Sequence, residues 1–199
     1  MKMYQVHHSA TLDCSKGEAL TDFSMPWSNR ESPITSFRAV WNDDWLGFQF
    51  QVVDEDIVLF EGEDRDDSVL GSDRVELFFA TDHELKGYYY GIEMDPRGWV
   101  FDFRARYYRE INDRWNFPSL KISALHGDGE YSVEGRVSLQ VLADHNLIRR
   151  GKLIIGVYRA EFSMTENGVL KDWMSWIDPQ TERPDFHVPS SFGKFQLVK

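Results

Sequence analysis

Apolar and polar residues alternate with a period of two through most of the chain, a pattern that specifies half-buried β-strands and leaves little room for helices. Leu46, Phe48, Phe50 and Val52 share one parity, with Gly47, Gln49 and Gln51 on the other. Val75, Leu77 and Phe79 alternate around Glu76 and Phe78, and Tyr88, Tyr90, Ile92 and Met94 oppose Tyr89, Gly91 and Glu93. Trp99, Phe101 and Phe103 oppose Val100, Asp102 and Arg104, and Tyr131, Val133, Gly135 and Val137 form a further comb. A longer strand is expected over residues 153–162, and a short one over 194–198 closes the chain. Turn chemistry falls between the runs: Asn42-Asp43-Asp44, Asp95-Pro96-Arg97-Gly98, His126-Gly127-Asp128-Gly129 and Asn167-Gly168 each read as a hairpin connection. Only residues 139–147 suggest a short helix. About nine or more strands in 199 residues, with no linker or repeat, predict one all-β domain over 1–199. The expected architecture is a single antiparallel β-sandwich of immunoglobulin or jelly-roll type, with at most one or two short helices.

Charge narrows the partners. Lys and Arg number 22 against 33 Asp and Glu, a net charge of −11, which repels phosphate backbones and argues against a nucleic-acid partner. The same surface attracts cations and tolerates neutral ligands such as sugars. The 14 Phe, 8 Tyr and 7 Trp are many for this length and suit both β structure and flat ligand surfaces. With Cys14 alone, no intrachain disulfide or cysteine zinc cluster can form. The opening MKMYQVHHSATLDCSKG has no apolar h-region and no small-residue cleavage site, so no signal peptide is expected in the sequence as written. The expected location is cytoplasmic, or exported if a leader has been removed. No apolar run approaches 18 residues, so no membrane-spanning helix and no membrane partner are expected.

Three phrases in order carry a family resemblance. The run SFRAVWNDDWLGFQFQVVDEDI ends in Val52-Val53-Asp54-Glu55-Asp56-Ile57; SDRVELFFATD covers residues 72–82; and WMSWIDPQTERPDFHVPSSFGKFQLVK holds Trp176-Ile177-Asp178-Pro179 and Pro189-Ser190-Ser191-Phe192-Gly193. Together, from about residue 35 to the end, they resemble family 9 carbohydrate-binding modules. The resemblance implies a DOMON-like β-sandwich that binds oligo- or polysaccharides, commonly as an accessory module of xylan- or cellulose-degrading glycoside hydrolases. It implies a sugar-hydroxyl contact at Glu76. It also implies an aromatic clamp, whose two positions here are Leu70 and Phe186, a departure that leaves half of the clamp aromatic. Some members carry structural calcium.

A pyranose offers an apolar C–H face and a rim of hydroxyls, so its site needs a flat aromatic surface beside hydrogen-bonding groups. The candidate ligand-binding residues are Glu76, Glu93, Tyr89, Phe186, His187 and Trp115, with Trp27 as a second replacement aromatic. Glu76, Glu93 and the Tyr89 phenol are expected on one face of neighbouring strands. Alternative readings give Phe186 the role of an edge plug, His187 that of a loop pin and Glu76 a solvated pair with an arginine. Arg104, Arg106, Arg109 and Arg114 lie near Tyr107 and Tyr108 and suit either hairpin charge pairing or a uronate. Glu76 and Glu93 could instead form a glycosidase pair. The acidic segment 54–73 reads either as a solvated loop or as a calcium site through Asp54, Asp56, Asp64 and Asp66, without EF-hand spacing. A haem held by Met94 and His187, as in related DOMON domains, and an interaction domain that has lost its ligand complete the alternatives.

Overall fold

The computed structural model describes residues 2–199. In chain order the strands are β1 (Met3–His8), β2 (Thr35–Trp41), β3 (Trp45–Val53), β4 (Arg74–Ala80), β5 (Tyr89–Met94), β6 (Val100–Arg106) and β7 (Glu110–Asn112). They continue as β8 (Lys121–Gly127), β9 (Glu130–Ser138), β10 (Ile148–Arg149), β11 (Lys152–Thr165), β12 (Gly168–Ser175) and β13 (Gly193–Val198). Two short helices, α1 (Arg65–Gly71) and α2 (Leu139–Asp144), interrupt them. Hydrogen bonding follows one curled path, β7-β6-β5-β4-β11-β13-β1-β2-β3-β9-β8, with β10 and β12 added to β11.

The two arms of that path face each other and form the expected sandwich. Val75, Leu77, Phe79, Ile92, Ile155 and Val157 of one arm meet Phe37, Phe48, Phe50, Tyr131 and Val133 of the other in a closed core. Burying each of these side chains contributes about 1.5–3 kcal/mol against the entropy of ordering the chain. All four turn signals join neighbouring strands, and Gly98 takes the φ of 78° that the β5–β6 turn requires.

Three features differ from expectation. β1 runs parallel to both β13 and β2, because the two ends of the chain lie side by side at the seam with Tyr4 and Val6 buried there. β11 runs on to Thr165, where its hairpin register with β12 ends opposite Gly168. Within the acidic segment, residues 65–71 form α1 instead of a loop. Asp64 caps this helix by accepting from the Asp67 N–H, Asp66 and Asp67 favour its positive end, and Ser68 and Val69 anchor it.

The outer face of the β4–β5–β6 arm is also covered. Phe78, Tyr89, Phe101, Phe103 and Tyr158 point away from the inter-sheet core and pack under Val69 of α1 and under Phe186 and Phe192. Gly91 leaves room for the Phe103 ring, which would sit 2.3 Å from an added Cβ. Every residue of β4 and β5 is therefore buried, and the polar residues on their outer parity are sealed rather than solvated.

Candidate functional site

Where that cover ends, a cleft of about 440 Å³ opens on the outer face, a volume in the range of small-ligand pockets. Arg74 and Glu76 of β4, Glu93 of β5 and Phe101 of β6 reach it from the sheet. Leu70 of α1, Trp173 of β12, Arg109 and Ile111 from the β7 end, and residues 184–187 complete its wall. The antiparallel register sets Glu76 directly opposite Glu93, and Arg74 shares their parity two residues earlier. The Arg74 Nε–H donates to Glu93 Oε2 at 2.6 Å. The same nitrogen lies 3.1 Å from Glu76 Oε1 as an ion pair, but that buried oxygen accepts no hydrogen bond from any described residue. The guanidinium also lies over the Trp173 and Phe162 rings, at 5.4 and 5.7 Å.

Two adjacent carboxyls thus share one guanidinium out of water. Burial first, and the neighbouring Glu93 charge second, push the Glu76 carboxyl up to about 8 against the pull of Arg74 and Arg109. Asp185 behaves oppositely. Its burial alone would raise it, but hydrogen bonds from the Tyr108 hydroxyl, the His187 N–H and Arg109 hold it below the usual carboxylate range. Those contacts measure 2.7, 2.9 and 3.0 Å; the first and last fasten the 184–187 loop to the turn after β6, and the second closes a turn within the loop.

Of the sequence-predicted residues, Glu76, Glu93, Phe186 and His187 line the cleft together. Phe186 is 5% exposed and stacks on Tyr158 at 4.2 Å, so it is both plug and wall. Trp27 does not line the cleft; it buttresses Phe186 at 5.8 Å while donating to the Thr181 carbonyl. The expectation that Tyr89 presents its phenol to ligand is corrected. Tyr89 shares the face but lies fully buried, its hydroxyl 2.9 Å from His187 Nδ1. Burial, and the nearby Arg109 charge, depress the His187 imidazole to about 3, so it stays neutral and pins the loop. Trp115 is corrected more fully. It packs on Tyr90, Phe117 and His145 at the inter-sheet core, on the opposite face of β5 from Glu93. The four-arginine cluster also divides, since Arg104 and Arg106 flank the Tyr88 ring and only Arg109 lines the cleft. Met94 belongs to the inter-sheet core and His187 to the outer face, so the two cannot ligate one haem.

The solvated-pair reading of Glu76 is right about the arginine and wrong about the solvent, for the pair is sealed. Arg109 lines the cleft as one of the four arginines the sequence singled out, whereas Arg74, Trp173 and Asp185 line it without having been named as ligand-binding candidates. The parity of Arg74 with Glu76 was the available signal for one of them. Trp173 and Asp185 arrive from β12 and from a loop, whose position no periodicity encodes.

The expected calcium ligands do not gather. Asp56 accepts from the Met164 N–H, Asp64 caps α1, and Asp66 lies in the first helical turn. Asp54 alone joins a carboxylate cluster, with Asp73 and Glu161, between the sheets. Arg159 already fills that cluster: its Nη2 donates to Asp54 Oδ2 at 2.9 Å and to Glu161, and its Nη1 donates to Thr35 Oγ1 at 2.9 Å. Both Asp73 oxygens accept backbone N–H groups, from Val58 and Phe162. Calcium takes six to eight oxygens, and this set, already committed to a guanidinium and to backbone N–H groups, does not fit it.

No curated protein matches the chain. Among solved structures, a candidate carbohydrate-binding protein from Bacteroides uniformis superposes with a TM-score of 0.75 at 15% identity, covering 99% of each chain. A family 9 carbohydrate-binding module from Caldicellulosiruptor kristjanssonii, in complex with glucose, gives 0.66 at 14% identity over 99% of this chain and 96% of that one. A module of the same family and organism, in complex with cellotriose, gives 0.63 at 14% identity over 98% and 93%. At such identities the likeness speaks for the fold. The family profile described as "Carbohydrate family 9 binding domain-like" matches residues 15–199, and the chain belongs to that family.

Proposed function

We propose that this protein is a non-catalytic carbohydrate-binding module that seats a terminal pyranose of a plant-type polysaccharide in the Glu76–Trp173–Phe186 cleft. The observation that carries the reading is the pairing, in one small-ligand cavity, of half-buried Trp173 with a sealed carboxyl pair. Trp173 and Leu70 suit the C–H face of a ring. Glu76 Oε1, buried without a hydrogen-bond donor, suits a hydroxyl. The aromatic surface lost at Leu70 is supplied by Trp173 beside Phe186, whose rings meet edge to face at 5.9 Å. The sugars bound by the Caldicellulosiruptor modules make glucose units the first ligands to test.

Hydrolysis is disfavoured by the arrangement of the acids. Glycosidase carboxyls flank the scissile bond from two sides. Here Glu76 and Glu93 are cross-strand neighbours on a single sheet face, joined by Arg74, so no glycosidic bond can pass between them.

Calorimetry with glucose, cellotriose, xylose, xylotriose and a uronate-containing oligosaccharide tests the reading. Saturable binding is expected, weakened about 10-fold or more by Glu76→Ala and about 2- to 12-fold by Trp173→Ala. Absence of binding across the panel would leave a family fold without a sugar ligand. Binding indifferent to both substitutions would move the site elsewhere.

A further inference from the structure

We infer that Tyr107, on the β6–β7 turn, is a stacking position for a sugar unit beyond the one seated in the cleft. The inference rests on the carbohydrate reading of the cleft. Tyr107 and Tyr108 follow β6 directly and are 51% and 50% exposed, so two adjacent aromatic rings stand half open to solvent on one short turn. Their rings lie 5.4 Å apart at 67°, so the turn shows solvent two differently tilted apolar faces.

The turn is fixed at the mouth of the cleft. Tyr108 donates to Asp185 Oδ2 at 2.7 Å, and Arg109 donates to Asp185 Oδ1 at 3.0 Å with its guanidinium 5.6 Å from the Tyr108 ring. Arg109, Asp185 and Ile111 all line the cleft, and Ile111 is 41% exposed. A sugar unit leaving the Glu76 end of the cleft past Arg109 therefore meets an ordered tyrosine surface, with donors and an acceptor between the two positions. Preorganisation of this kind lowers the entropy lost on binding a flexible chain. Tyr108 is constrained by its hydroxyl, whereas no such bond ties Tyr107 among the described residues, which points to Tyr107 as the ring free to stack.

The test compares glucose with cellotriose, and xylose with xylotriose, on the wild type, Tyr107→Ala and Tyr108→Phe. In the series that binds, the wild type is expected to prefer the trisaccharide. Tyr107→Ala is expected to cut the trisaccharide-to-monosaccharide affinity ratio about 2- to 12-fold and leave monosaccharide affinity within about 2-fold. Tyr108→Phe, which keeps the ring and loses the latch, is expected to retain most of the ratio. An unchanged ratio in Tyr107→Ala overturns the subsite while leaving the cleft reading intact. Equal weakening of mono- and trisaccharide also overturns it, by showing that the turn acts only through Asp185. A wild type that binds neither series removes the cleft reading, and the subsite with it.

Discussion

Replacing Arg159 by methionine isolates what holds the two layers in register. Arg159 is fully buried and reaches across the sandwich from β11 to Asp54 and Thr35, which follow or begin strands of the other layer. Methionine preserves much of the aliphatic length and removes the charge. Asp54 and Glu161 then remain buried without their cation, and removing one partner of a buried ion pair costs about 3–5 kcal/mol. For a domain of this size, about 2–4 °C is lost per kcal/mol, which places the expected fall in melting temperature at about 6–20 °C at pH 7.5. At pH 5 the fall should be smaller, because carboxyls left without a cation take up protons instead of staying charged. Burial already raises Asp73 to about 8 and Glu161 to about 7 with the arginine in place. Thermal unfolding followed by circular dichroism at both pH values, with and without a chelator, is the assay. The wild-type midpoint should ignore the chelator, since the guanidinium stands where a cation would. A loss below about 1 kcal/mol, or an equal loss at pH 5 and 7.5, would refute the view that this cluster is a structural charge lock.

Two further outcomes are expected. Asp73, Glu76 and Glu161 are all raised by burial, so the folded chain keeps protons that the unfolded chain releases between about pH 4 and pH 8, and stability falls as pH rises through that window. Asp82 and Asp185, held low by hydrogen bonds, withdraw stability only below about pH 4, so urea midpoints should be higher at pH 5 than at pH 8.5; a rise over that interval contradicts the burial of the three acids. In Gly91→Ala the new methyl meets the Phe103 ring, which in turn stacks near His187, and overpacking of about 1–3 kcal/mol should lower the melting temperature by about 2–12 °C; an unchanged melt would mean that the outer cluster is loosely packed.

Strands such as β3, β4, β5 and β9 are legible because each buries one parity in the inter-sheet core, and four of the turns because Asn, Asp, Pro and Gly mark them; β7 and β8 bury no residue and carry no such signal. Periodicity reports which residues share a face, not what covers that face. Parity therefore sets Glu76 and Glu93 together on one outward face but does not report that this face is covered, since the cover comes from α1 and from a loop about 100 residues further on. Trp115 misled for a related reason: it follows the β6–β7 hairpin closely in sequence, yet the chain then returns to the opposite side of β5 to pack on Tyr90. Two of the charge contacts join residues that are distant along the chain. Arg159 and Asp54 are 105 residues apart, and Arg109 and Asp185 are 76 apart. α1 was readable in principle from Asp64 as its cap, but the density of acids around it favoured a loop.

The two arginine–carboxylate clusters stand on opposite faces of the same sheet arm: Arg74 and Glu76 of β4 with Glu93 of β5 on the outer face, and Arg159 and Glu161 of β11 on the inner one. On β4, Asp73 just before the strand points inward and Arg74 outward; on β11, Arg159 points inward and Tyr158 outward, under Phe186. Since β4 and β11 pair Arg159 with Val75 and Tyr158 with Glu76, a slip of one residue would carry each cluster to the wrong face. A core of Val, Leu, Ile and Phe alone tolerates repacking, whereas a buried guanidinium with three fixed oxygen partners does not. The inner cluster therefore fixes the register on which the outer one depends. Glu76 meets Glu93 and Arg74 across a cleft floor whose geometry is set from behind, by Arg159 and the other layer. That division explains how a cleft whose upper wall comes from loops, α1 and β12 keeps the carboxyl pair of its floor in place.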